Sequence, residues 1–270
     1  MEKDKDGKER LVEYLKELHL PAFRSSYEEL ARQAQQEGLS FEQYLLGLAQ
    51  RECQERGNKR VERLLHDSRL PLEKSWSALE LKRLPPKVVQ QARTLLEGSF
   101  LDRAENVLVF GPPGSGKTHV LSAVSQELVR SGRRVLSRKC GLLVQELLLA
   151  KRELKLPALL KRLAGYEALL VDDLGYVQQS REEMEVLFTL LAERYERGSV
   201  LLTSNLPFSG WEAIFKDPMT TAAAIDRLVH HSVIIELNLP SYRAEQAKKA
   251  KQARQAEAGD LAGGPGTGKP

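Results

Sequence analysis

Two cysteines, three methionines and two tryptophans are all that 270 residues contain of these types. Cys53 and Cys140 lie far apart and form no zinc or redox spacing, which excludes a disulfide or zinc-ligand framework and leaves two inert thiols. No run is long and apolar enough to cross a bilayer. The first ten residues, MEKDKDGKER, are charged throughout and lack the apolar stretch of a secretion signal. A cytoplasmic location and no membrane partner are the expectation. A large excess of one charge is missing too: net charge is +4, which permits a nucleic-acid partner without demanding one. Apolar residues make up 41%, enough for a proper core, and the length suits one α/β domain plus a smaller piece.

What is present is organised around residues 106 to 118, NVLVFGPPGSGKT. Asn106 to Phe110 is a short apolar run suited to a strand buried on both faces. Gly111, Pro112, Pro113, Gly114, Ser115, Gly116, Lys117 and Thr118 then match GxxxxGK[ST] at every fixed position. His119 follows, and Val120, Leu121, Val124, Leu128 and Val129 repeat at helical spacing. Strand, glycine loop and helix together make a phosphate site. The glycines let the backbone wrap around phosphates and aim its N–H groups inward, and the helix N-terminus adds partial positive charge. Lys117 can reach the outer phosphates and Thr118 can hold Mg2+.

Upstream, residues 1–66 read as a small helical domain. Leu11, Tyr14, Leu15 and Leu18 are helically spaced, a second helix is expected from about Ser25 to Glu37, and Ser40 with Gln43 forms a capping box for a third. Its polar faces fit either a solvated bundle or a docking module. Residues 67–104, interrupted by Pro71, Pro85 and Pro86, read as a connector with one short helix. Strands and helices alternate over 105–243, which implies an α/β domain with a five-stranded, mostly parallel sheet covered on both faces. Residues 244–270 read as a basic, flexible tail. Gly263 to Lys269 repeats GxxxxGK there, but Pro270 replaces Ser/Thr, no strand precedes it, and it is discounted.

The third expected strand, Ala168 to Val171, ends in Asp172 and Asp173. Beside a phosphate loop, the first acid can hold Mg2+ and the second can orient the attacking water. Asn205 ends LLTSN, where an uncharged amide can contact a phosphate or water, or simply cap a turn. Arg227 and Arg243 flank the last strand; each suits a phosphate, within the subunit or on a neighbour's nucleotide, although lone arginines are more often surface residues. His230 and His231 invite a metal reading, but adjacent side chains on a helix do not face each other.

With these residues in place, the chain resembles AAA+ ATPases, and within them the IstB-like transposition helpers, relatives of the DnaC helicase loaders. ENVLVFGPPGSGKTH, LLVDDLGY, RYERGSVLLTSNLPFSGW and DPMTTAAAIDRLVHHSVIIELNLPSYR carry the resemblance, which is strong from about Glu105 to Arg243. It implies an AAA+ P-loop NTPase preceded by a helical domain, ATP with Mg2+, double-stranded DNA binding, assembly into an oligomer, and assistance to a partner transposase. It also implies Asn205 as sensor 1, Arg227 as arginine finger and Arg243 as sensor 2. One departure stands out: the family often has Asp-Glu where this chain has Asp172-Asp173. The shorter acid implies slow hydrolysis. The loop from Leu174 to Arg181 and the basic group Arg133, Arg134, Arg138 and Lys139 are candidate DNA contacts. Three other readings stay open: a helicase loader, a small-molecule phosphotransferase, and a nucleotide-gated DNA scaffold with little turnover.

Overall fold

The computed structural model describes residues 2–175, 180–242, 244, 245 and 248, with side chains from Asp6 onward. The chain divides into two compact units, residues 1–63 and 64–270.

The first unit is helical. α1 (Glu2–Glu17) begins within the charged first ten residues, and α2 (Pro21–Glu37) starts four residues earlier than expected. Proline suits that first helical position because its missing N–H would have had no partner there. α2 stops at Gly38 in a left-handed conformation, φ 66°. α3 (Phe41–Ser68) opens on the expected capping box: Gln43 N–H donates to Ser40 Oγ (3.2 Å) and Ser40 N–H to Gln43 Oε1 (2.8 Å).

In the second unit, α4 (Pro86–Leu96) and α5 (Ser99–Asp102) precede β1 (Asn106–Phe110) and α6 (Lys117–Arg130). β2 (Val135–Lys139), α7 (Cys140–Arg152), α8 (Leu156–Ala164) and β3 (Ala168–Leu174) follow. Then come α9 (Arg181–Arg194), β4 (Ser199–Ser204), α10 (Glu212–Phe215), α11 (Pro218–Val229) and β5 (Ser232–Glu236). The sheet order is β2-β3-β4-β1-β5 and every pairing is parallel.

Alternation along the strands divides the core in two. Val107 and Val109 of β1, with Leu170, Leu201 and Ile235, face α4 and α6. Leu108 and Phe110, with Leu169, Val171, Val200 and Leu202, face α7, α9 and α11. Residues 67–104 are not a free connector. Leu70, Leu84, Val88, Ala92, Leu95, Phe100 and Leu101 are buried in the first of these layers. An amphipathic α4 with one apolar face needs a surface to cover that face, and the sheet supplies it. Because β4 lies between β1 and β3, the carboxyl ends of these three strands meet beside the phosphate loop.

Candidate nucleotide site

Three glycines of the loop adopt positive φ: Gly111 at 153°, Gly114 at 80° and Gly116 at 101°. Two of them also have no room for a side chain. A Cβ on Gly111 would lie 2.3 Å from the carbonyl oxygen of Leu237, and one on Gly114 would lie 2.1 Å from Ser241 Oγ. The segment after β5 therefore lies directly on the loop. Tyr242 N–H donates to the carbonyl of Gly114 (3.0 Å), and its hydroxyl donates to Glu80 (2.9 Å). Arg83 stacks over the Tyr242 ring and donates to Pro240 O and Glu245 Oε1, both at 2.9 Å.

Lys117 is buried, and its Nζ donates to the carbonyls of Gly111 (2.8 Å) and Pro112 (3.0 Å), which sets the ammonium inside the curve of the loop. Thr118 Oγ1 donates to Asp172 Oδ1 at 2.7 Å, and Thr203 Oγ1 donates to the same oxygen at 2.7 Å. Asp172 is itself only 8% exposed. A hydroxyl and a carboxylate in contact make an oxygen donor set that suits a hard cation such as Mg2+. The pairing of β3 with β4 then breaks: the register shifts between Val171 and Leu174. Asp173 takes a left-handed φ of 65°, and Thr203 Oγ1 receives its N–H (2.8 Å). This bulge turns consecutive acids to different tasks, Asp172 inward to Thr118 and Asp173 outward into the cleft. Aspartate is among the few side chains that accept that backbone conformation readily.

Asn205, just past β4, lines the same cleft. Its Oδ1 is buried without a hydrogen-bond partner among the described residues, and so is Ser115 Oγ in the loop. Buried polar atoms are normally paired, so these two match a polar ligand with hydrogen-bonding capacity in the cleft. The cleft holds about 540 Å³. Its far wall is Lys74, Ala78, Leu79, Glu80, Arg83 and Leu84, from the stretch read as a connector, and Leu239 and Tyr242 close one end. His119 meets that wall through Nε2 and the Ser75 carbonyl (3.3 Å). No local motif marks these wall residues. Apolar Leu79 and Leu84 between prolines were the available hint. Thr203 was visible within LLTSN, but nothing in spacing assigned it to Asp172.

Arg227 is elsewhere. Its guanidinium lies 4.8 Å from the Phe188 ring centroid and donates to Ala223 O (3.0 Å). Its carbonyl accepts from Asn106 Nδ2 (3.3 Å), at the amino end of β1. The phosphate loop is at the other end, roughly 16 Å along the strand and beyond an arginine's reach. Arg243 lies outside the described residues, as do residues 176–179 of the loop considered for DNA. The basic group at β2 is not one patch. Arg133 is held by Asp102 and Glu167, both at 2.8 Å, and Arg138 faces Glu146, while Lys139 lines the cleft.

A family model described as IstB-like ATP binding protein matches residues 13–250. The chain belongs to this family. An insertion sequence ATP-binding protein of Sinorhizobium fredii is 39% identical over 88% of this chain and 80% of its own length. The ATP-binding protein of insertion sequence IS5376 from Geobacillus stearothermophilus is 33% identical over 89% and 96%. Among solved structures, the DnaC helicase loader superposes with a TM-score of 0.50 at 17% identity, covering 56% of this chain and 89% of that one. At that identity the likeness concerns the fold, an AAA+ P-loop domain with a five-stranded parallel sheet. The chain is an ATPase of this class. Among the described residues, no helix is long and apolar enough to cross a membrane.

Proposed function

We propose that this chain is the ATP-hydrolysing helper of an insertion-sequence transposase, binding double-stranded DNA as an oligomer in the cytoplasm. The names of its relatives, insertion sequence ATP-binding proteins, support the setting. The observation that carries the assembly is the split of the site. Lys117, Thr118, Asp172, Asp173 and Asn205 converge on one cleft, whereas Arg227 sits at the opposite end of β1. An arginine so placed can serve a nucleotide only in the cleft of a neighbouring subunit.

In this reading the loop N–H groups and Lys117 hold the phosphates of ATP. Thr118 and Asp172 would hold Mg2+, which would neutralise phosphate charge. Asp173 orients the attacking water and takes its proton, and Asn205 hydrogen-bonds the terminal phosphate or that water. Arg227 of the adjacent subunit stabilises charge developing on the transferred group. Arg243, which follows Tyr242 in the chain, is assigned to the nucleotide on the family resemblance alone. The hydrolytic state then governs how the DNA-bound oligomer engages the transposase.

ATPase rate across protein concentrations, with and without double-stranded DNA, tests this for wild type and Arg227→Ala. The expected rate per subunit rises with both and drops in the variant. A rate indifferent to all three contradicts it, as does DNA binding that ignores salt. The helicase-loader reading requires co-purification with a replicative helicase instead. Turnover that collapses in Asp173→Ala removes the scaffold reading.

A further inference from the structure

The structure assigns Glu196, His230 and His231 to a site for a transition-metal ion such as Zn2+, in the nucleotide unit and away from the cleft. Spacing alone argued against the histidine pair, because neighbours on a helix diverge. However, α11 ends at Val229, so the two histidines occupy the turn into β5. Their ring centroids are 4.1 Å apart. Glu196 arrives from the exit of α9 with a left-handed φ of 58°, which folds the chain back toward that turn. One ligand atom from each of the three side chains lies within 4.8 Å of the others.

Two imidazoles and one carboxylate suit Zn2+, Co2+ or Ni2+ rather than Mg2+. Ligand atoms about 2.1 Å from a tetrahedral ion stand about 3.4 Å apart, so the cluster must contract by up to about 1.4 Å. All three side chains are exposed, and rotation about their own bonds provides that. The backbone is already fixed: His231 O accepts the N–H of Asn106 (2.7 Å), and His230 N–H donates to Asp226 O (3.0 Å). Tyr195 OH sits 3.0 Å from His230 Nδ1, the kind of outer partner that orients a ligating imidazole and leaves Nε2 for the ion. Three protein ligands leave a fourth position open.

The site lies about one helical turn beyond Arg227 on the same segment, so an ion there would stiffen the segment that carries the arginine finger. That consequence rests on the finger reading; metal binding does not.

The test is titration of the chelator-stripped full chain with Zn2+ by calorimetry and with Co2+ by visible absorption, without nucleotide. Wild type is expected to take one ion per chain with a Co2+ spectrum of nitrogen and oxygen ligands. His230→Ala, His231→Ala and Glu196→Gln should each lose it, and Tyr195→Phe should weaken binding about tenfold. Unchanged circular dichroism of each variant separates lost binding from lost fold. No uptake by wild type, or equal uptake by the His230→Ala/His231→Ala double variant, overturns the assignment; the latter points to His19, His66, His119 or Cys53. Zn2+ uptake with Mg-ATP turnover indifferent to Arg227→Ala upholds the metal site and removes the finger.

Discussion

The nucleotide unit and the helical unit use their apolar residues in opposite ways. In the sheet, all of β1 and β4 is buried, and Leu108, Val109 and Leu201 are fully enclosed. Among the described residues of the helical unit, only Leu15, Ala22 and Leu48 are buried hydrophobics, while Leu18, Phe41, Leu45 and Leu46 are between 56% and 90% exposed. Polar contacts do more of the work there. Glu52, only 4% exposed, accepts the N–H groups of Ala22 (2.8 Å) and Phe23 (3.3 Å) at the start of α2 and pairs with Arg56 (2.8 Å). Arg56 in turn donates to His19 O at 2.6 Å. One unit is built around a dry core that fixes catalytic geometry. The other is held by helix caps and keeps apolar side chains at its surface.

The largest expected effect belongs to the chemistry. Lys117→Ala and Asp173→Ala should each lower ATP turnover by about two to three orders of magnitude, on the scale of losing a positioned charge or general base. Asp173→Asn, which tolerates the same left-handed backbone, should leave thermal unfolding of the nucleotide unit barely changed, since Asp173 faces the cleft.

Next comes packing. Leu108→Ala should cost about 3–5 kcal/mol, because the sheet cannot collapse around the hole, whereas Leu45→Ala should stay within about 0.5 kcal/mol. Chemical denaturation can tell the units apart: both tryptophans, Trp76 and Trp211, lie in the nucleotide unit, so their fluorescence reports that unit while far-ultraviolet dichroism reports both. Equal costs at the two sites would erase the contrast.

The smallest effect is electrostatic. Burial raises the Glu52 carboxyl, but Arg56 and the N–H groups of Ala22 and Phe23 outweigh it and hold it below the usual carboxylate range. The stability it adds is full above the unfolded-state value and fades as pH falls through the lower folded value. Acid should therefore weaken the helical unit below about pH 4.5, and Glu52→Gln should cost about 1–2 kcal/mol at neutral pH and flatten that dependence. Dichroism that falls only together with tryptophan fluorescence would count against this.

The phosphate loop was legible because its chemistry is local: eight consecutive residues form the cradle, and the strand before and helix after follow from apolar spacing. Asp172, Asp173 and Asn205 were legible as strand ends, since an apolar run that stops beside a phosphate site has few other uses. The bulge that sends the two acids apart was not, because it depends on how β3 meets β4. Nor was the wall from Lys74 to Leu84, where prolines suggested a connector and only the sheet face reveals a layer. Gly111 and Gly114 looked like freedom for phosphates; the closeness of Leu237 and Ser241 is a second reason that lies more than a hundred residues away in the chain. The closeness of the two histidine rings was not legible either, because it depends on where α11 gives way to the turn into β5.

The most direct test mixes two inactive variants. Arg227→Ala keeps an intact cleft, and Lys117→Ala keeps an intact arginine. Alone, each should hydrolyse little ATP. Combined with DNA in equal amounts, they should regain a clear fraction of wild-type turnover, because an intact cleft then meets an intact arginine across a subunit boundary. Mixtures that stay inactive at every ratio while still co-assembling, or an Arg227→Ala protein as fast as wild type, would contradict a site shared between subunits.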